Sequence, residues 1–318
     1  MQNRRTFLQK AALASAGIVG LSSFRKWVAP AEMMAFGRDA VKVTILHTND
    51  THSHIDPLPE THPWYPGLGG AARRSALINR IRSEEQQVLL LDAGDIFQGT
   101  PYFNKFGGKV EFEVMSQMNY DAATIGNHDF DNGLEGLNKM LPYADFPFVI
   151  ANYDFKNTIF EGVFKPYKIF NKGGVKIGVF GLGIELKGLV DSRLYGETQY
   201  LDPLEKAAYY THELKNEHNC DLIICLSHLG FQYKNKKVSD VILAKQSRNI
   251  DLIIGGHTHT LLKTPLAYRN RDGEEVLISQ VGSFGVRLGR IDFYVKPGKH
   301  KTFAMGDSIL IDSKLVRS

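Results

Sequence analysis

The sequence predicts an α/β fold in four layers, an α/β/β/α sandwich of two packed mixed sheets flanked by helices. Three observations carry that prediction. Apolar runs of strand length alternate with helix-period segments through both halves of the chain. A hairpin-like pair in the middle and a strand-rich tail supply antiparallel edges. Five of the apolar runs stop at a carboxylate, carboxamide or imidazole, and open α/β sheets gather their ligands at the carboxyl ends of strands.

The first apolar run, residues 41–46, leads into a polar stretch with Asp50, His52 and His54. Asp50 and His52 stand two apart, so in extended chain they leave the same face and can close on one cation. The loop over 55–70 carries Pro57, Pro59, Pro63 and Pro66 around His62, Trp64 and Tyr65. So many prolines forbid helix or central strand and leave a stiff surface loop, whose rings can stack on a substrate or pack on their own scaffold. Behind Gly69, the near-helical spacing of Ala72, Leu77, Ile78 and Ile81 predicts an amphipathic helix leading to a strand over 88–91. The expected succession is then a helix near 110–118, a strand at 121–124, a helix over about 134–141 and a strand at 148–151. VFKPYKIF and VKIGVFGLGI, parted by residues 171–174, predict a hairpin. A helix over 203–218 opens behind Asp202 with Pro203 in its first turn, and feeds a strand at 222–226. A helix at 238–246, a strand at 252–254 and a strand-like tail from residue 276 complete the chain, with no repeat, low-complexity linker or long charge run.

The N-terminus reads differently. NRRTFLQK sets Arg4 and Arg5 before an apolar, Ala/Gly-rich stretch over 11–24, the pattern of a twin-arginine export signal and too short for a membrane span. Residues 1–35 are assigned to that signal and 36–318 to one domain, exported to the periplasm or cell surface. The signal also explains the basic balance: of 38 Lys+Arg and 34 Asp+Glu, five bases and one acid fall in 1–35, leaving the remainder neutral. No nucleic-acid partner and no membrane span apart from the signal segment are expected. Cys220 and Cys225 flank or lie within one predicted strand, too far apart for a disulfide, and are expected as buried thiols.

Asp50, His52, Asp95, Asn127, His228, His257 and His259 are the ligand candidates from the five strand ends. Seven oxygen and nitrogen donors without thiolate exceed the need of one tetrahedral ion and suit two ions sharing a carboxylate, with Asp95 in the Gly94-Asp95 turn as bridge. Such a donor set favours Zn, Mn, Fe or Co over Mg or Ca. Two neighbouring cations can hold a bridging hydroxide and neutralise a phosphoryl group during in-line attack. His128 follows Asn127 and reaches the same substrate, and Asp131, three residues on, is placed to fix its tautomer and charge.

The set DTH, GD, GNHDFD, SH and GHTH resembles the calcineurin-like metallophosphoesterase signature. ILHTNDTHSH, GLGGAARR, GDIFQGTP and GNHDFDNG are similar, more narrowly, to the catalytic domain of the 5'-nucleotidases and their 2',3'-cyclic phosphodiesterase relatives. The resemblance runs from about residue 41 to the C-terminus. It implies that Asp50, His52, Asp95 and His259 hold one metal, that Asp95, Asn127, His228 and His257 hold the other, and that His128 with Asp131 is the catalytic dyad. Some family members carry Gln at the position of His259, which implies a different metal preference there. In the family a C-terminal domain supplies the nucleobase clamp, whereas this chain ends at Ser318. The expectation is a separate polypeptide that docks, or a looser site built from Trp64, Tyr65, Tyr102 and Phe103.

Together these readings predict an exported dinuclear phosphoesterase acting on phosphate monoesters, 5'-nucleotides first, with Asn127 and His128 touching the substrate. The alternatives are a 2',3'-cyclic nucleotide phosphodiesterase, hydrolysis of sulfur-linked groups on carrier proteins, and a catalytic subunit or binding module inactive alone.

Overall fold

The computed structural model describes residues 40–298 and 302–316, so the export signal expected over 1–35 lies outside the described residues. In chain order the strands are β1 (Val41–Thr48), β2 (Val88–Asp92), β3 (Ala122–Ala123), β4 (Tyr153–Asp154), β5 (Tyr167–Lys172), β6 (Val175–Leu182), β7 (Gln199–Tyr200), β8 (Leu222–Ser227), β9 (Leu252–Gly255), β10 (Leu266–Arg269), β11 (Glu275–Ser279), β12 (Arg287–Val295) and β13 (Thr302–Leu310). The helices are α1 (Ala71–Glu84), α2 (Pro101–Phe106), α3 (Lys109–Gln117), α4 (Gly133–Met140), α5 (Ser192–Tyr195), α6 (Pro203–His212) and α7 (Asp240–Gln246).

Two sheets form from these strands, ordered β13-β12-β1-β2-β3 and β10-β11-β9-β8-β6-β5, beside a small β4-β7 ribbon. Period-two alternation explains how they stack. Val43 and Ile45 of β1, Leu89 and Leu91 of β2, Leu222, Ile224 and Leu226 of β8, and Leu252 and Ile254 of β9 share one apolar cluster between the sheets. The intervening Leu46 and Leu90 face Leu77, Ile78 and Phe112 of the helices covering the first sheet. Ile223, Cys225 and Ile253 face Ala207, Leu243 and Ala244 of those covering the second. Strands buried on both faces and helices buried on one are the expected four layers. Both cysteines are free and buried.

The segments differ from expectation where tertiary contacts override local pattern. Ala72 is exposed, and the inward stripe of α1 is Ala71, Arg74, Leu77, Ile78 and Ile81, because the helix begins at Ala71 and its phase admits an arginine. Residues 148–151 form no ladder. Val149 N–H donates to Ala123 O at 2.9 Å and Ala151 N–H to Gly181 O at 2.8 Å, so this stretch crosses from one sheet to the other. The Pro203 helix is capped by Asp202, which accepts from Leu204 and Glu205 N–H as expected, but its last turn widens into a π-helix over Glu213–Glu217. Helix α2 and edge strand β10 were not anticipated: both are short, and the second is mostly exposed.

Candidate metal centre

Parallel neighbours β1, β2 and β3 end on one edge of the first sheet, and β8 and β9, also parallel, end on one edge of the second. Asp50 and His52 follow β1, Asp95 follows β2, and Asn127 and His128 follow β3. His228 follows β8, while His257 and His259 follow β9. The two edges meet directly, with His228 Nδ1 donating to Ala93 O at 2.6 Å and His257 N–H donating to Asp50 Oδ1 at 2.9 Å. All seven ligand candidates are thereby brought to one place.

Turning the chain so sharply after each strand needs unusual backbone. Asp50, His52, Asp95, His257 and His259 have φ of 49°, 46°, 54°, 68° and 51°, in the left-handed region that non-glycine residues rarely enter. Close approach also fixes two glycines. A Cβ at Gly126 would stand 2.2 Å from Asp95 Oδ1, and one at Gly94 would stand 2.6 Å from Gly126 N.

Two donor groups result, Asp50 with His52 and His259, and Asp95 with His228 and His257, the ligand atoms of each lying within 4.8 Å of one another. In the first, His52 Nδ1 lies 3.2 Å from Phe97 O, which makes Nδ1 the protonated nitrogen and leaves the Nε2 lone pair facing His259 Nε2 at 3.0 Å. His259 Nε2 is also 3.4 Å from Asp50 Oδ1. In the second, the Ala93 carbonyl fixes the His228 tautomer in the same way. His228 Nε2, fully buried, then lies 3.0 Å from Asp95 Oδ2 and has no other partner among the described residues. Asn127 Oδ1 joins this group 2.8 Å from His257 Nδ1. Asp95 Oδ2 is 3.8 Å from His52 Nε2 as well, so one carboxylate oxygen faces both groups. Electron pairs converging at this range repel unless a cation stands among them, and the donors therefore fit two divalent ions.

The local field has the same sign preference. Burial opposes ionisation of Asp95, but the neighbouring histidines, His228 foremost, hold its carboxyl well below the usual range. Burial opposes charge on His228, but the Asp95 carboxylate outweighs it and favours positive charge between the two groups, a place that either a proton or a metal ion can take. His257, lacking so close a carboxylate, is pushed by burial and by His228 down to about 4, which keeps its lone pair available.

His128 lies beside the donors, its ring centroid 5.3 Å from that of His52. Its N–H donates to Asp95 Oδ1 at 2.8 Å, and its Nδ1 is 2.9 Å from Asp131 Oδ2. The bond to Asp131 raises the His128 pKa, against partial burial. Its side chain stays 37% exposed, so the ring remains within reach of solvent.

Two supporting residues have no role assigned from the sequence. Asp129 is buried and takes four backbone N–H bonds, from Ile96 and Phe97 on Oδ1 and from Asp95 and Gly126 on Oδ2, at 2.8–3.1 Å. It clamps the Asp95 turn to the Asn127 turn. Asn49 donates to Asp50 Oδ2 at 2.6 Å and to Gly282 O at 2.7 Å, orienting the Asp50 carboxylate. The only signal for either was its place within a ligand-bearing motif, NDTH or GNHDFD.

The calcineurin-like phosphoesterase profile matches residues 43–261, which hold every donor described above. The chain belongs to that family. This phosphoesterase is 33% identical over 310 residues to the snake venom 5'-nucleotidase of Crotalus adamanteus, covering 91% of its own length and 51% of the venom protein. It is 35% identical over 283 residues to the trifunctional nucleotide phosphoesterase protein YfkN of Bacillus subtilis, covering 79% of itself and 18% of that protein. Among solved structures, the 5'-nucleotidase precursor of Thermus thermophilus superposes with a TM-score of 0.79 at 32% identity, over 86% of this phosphoesterase and 55% of that chain. The phosphoesterase thus spans about half the length of the venom and Thermus proteins.

Proposed function

We propose that this phosphoesterase hydrolyses phosphate monoesters, 5'-nucleotides first, at a dinuclear centre in which Asp50, His52, Asp95 and His259 hold one ion and Asp95, Asn127, His228 and His257 the other. One observation carries the reading: Asp95 Oδ2 faces His52 Nε2 of the first group and His228 Nε2 of the second, as a shared ligand must. Two divalent ions held there, Zn, Mn, Fe or Co by the nature of the donors, supply Lewis-acid activation of water and offset the phosphoryl charge. The rest falls to the protein's own side chains. His128, its Nδ1 engaged by Asp131, has its other ring nitrogen to donate to a phosphoryl oxygen or to protonate the leaving alkoxide, and Asn127 completes the substrate contacts. Catalysis is assigned to one domain spanning 36–318, and export by the twin-arginine route to Arg4 and Arg5 with the apolar stretch behind them.

The test pairs elemental analysis of protein purified without chelator with turnover of an aryl phosphate, AMP and a 2',3'-cyclic nucleotide. Two equivalents of metal with monoester turnover support the reading. Less than one equivalent, not restored by added metal, removes the ligand assignment, and a cyclic diester turned over faster than AMP replaces the monoesterase with a phosphodiesterase. Strong aryl phosphate turnover with none of AMP points to a nucleotide-binding polypeptide that completes the site. Fusing residues 1–35 to a reporter and replacing both arginines with Lys checks export separately, the reporter being retained inside the cell if the motif is read.

A further inference from the structure

The Asp50, His52 and His259 side of the centre is walled by rings that the hydrolytic chemistry does not use. Phe284 sits half-buried at this rim, its ring centroid 6.0 Å from that of His259, 6.2 Å from His52 and 4.4 Å from His54. His62 meets the same phenyl in a T at 6.3 Å and stacks on Tyr65 at 5.8 Å. Trp64, 76% exposed, lies a further 6.0 Å from His62. A run of rings therefore leads from the donor imidazoles out to solvent.

Core packing does not account for Phe284, which belongs to none of the three apolar clusters. Its backbone is held where a bulky side chain is disfavoured, at φ 63°. The hold is specific. Phe284 N–H donates to Asp50 O at 2.7 Å, tying the ring to a ligand residue, and the buried Arg74 guanidinium fills the space where a side chain at Gly285 would stand. The facing loop is equally fixed, closed by a Pro57–Gly69 bridge and by Gly69 N–H donating to Ile311 O at 2.8 Å. Strain kept at a rim that is open to solvent and adjacent to reacting groups marks a functional surface, and rigid rings bind planar partners with little ordering entropy.

We propose that Phe284, backed by His54 and flanked by His62 and Tyr65, is a stacking ledge for the aromatic ring carried by the ester's leaving group, a nucleobase or an aryl ring. The ledge makes the centre selective for aromatic over aliphatic phosphate esters, and this rests on the hydrolase reading above. The decisive quantity is the ratio of kcat/KM for AMP to that for glycerol 3-phosphate, measured on the full metal-loaded chain. Phe284→Ala is expected to lower that ratio about tenfold or more, the scale of a lost ring–base stack, and Phe284→Tyr to restore it. An unchanged ratio in Phe284→Ala overturns the ledge.

Should that variant fail to fold or to load metal, inhibition of glycerol 3-phosphate hydrolysis in the unaltered chain decides. Competition by adenosine and none by ribose supports the ledge, and equal effects of the two overturn it. If no ester is turned over at all, the hydrolase reading falls on its own. Direct calorimetric binding of adenosine against ribose then judges the ledge alone, by the same pair of outcomes.

Discussion

His128 and Asp131 make the sharpest residue-scale test, because they stand beside the donors and not among them. His128→Asn is expected to reduce turnover about a hundredfold or more while metal content by elemental analysis stays near that of the parent. Loss of metal in that variant would make His128 a ligand. The pH profile tests its partner. Asp131 raises the His128 pKa, so the protonated imidazole persists above its ordinary titration range and is lost only as pH climbs through the raised value. Asp131→Asn removes that support, and the alkaline limb of kcat/KM should move to lower pH; a limb that stays put would mean another group titrates there. The ligand candidates and this dyad were legible in the sequence because each is a short polar motif ending an apolar run, and strand ends converge in this architecture. Asp129 was not legible. In GNHDFD it is one more acid, and its four N–H partners become visible only when the Asp95 and Gly126 turns are folded against each other.

At the scale of elements, the centre depends on how closely two turns can pass. Gly126→Ala places a methyl group 2.2 Å from Asp95 Oδ1, so it should displace the shared carboxylate, with loss of bound metal and activity and a destabilisation of about 1–3 kcal/mol in denaturant unfolding. Normal metal content in this variant would show that the turns can part without harm. Most elements could be read from periodicity, since β1, β2, β8 and β9 are continuous apolar runs and α6 carries both Asp202 and Pro203 at its start. Where local pattern and structure differ, a longer-range contact decides the outcome. Residues 148–151 have strand composition but hand their hydrogen bonds first to one sheet and then to the other, and α1 turns Arg74 inward where a local pattern assigned Ala72.

For the whole molecule, candidate ligands come from both sheets, so ions bound as proposed would join the two halves of the sandwich. Ions binding the native state alone stabilise it by about 4 kcal/mol per site at a thousandfold excess over Kd. Chelation should therefore lower Tm by on the order of 10 °C, reversed by adding metal back, as read by calorimetry. A Tm indifferent to chelator would show that apolar packing between the sheets suffices. Four layers were legible because each strand's alternation names two neighbours, whereas the individual contacts that lock the two sheet edges together, such as that between His228 and Ala93, were not. The same meeting has a consequence for biosynthesis. His52 and His259 stand 207 positions apart in the chain yet 3.0 Å apart at their Nε2 atoms, and the second donor group likewise waits for His257. A nascent chain has no complete ligand set for either ion until β9 and its following turn have left the ribosome. On the proposed assignment, the first ions to fill the centre would be those on hand where translation and folding end.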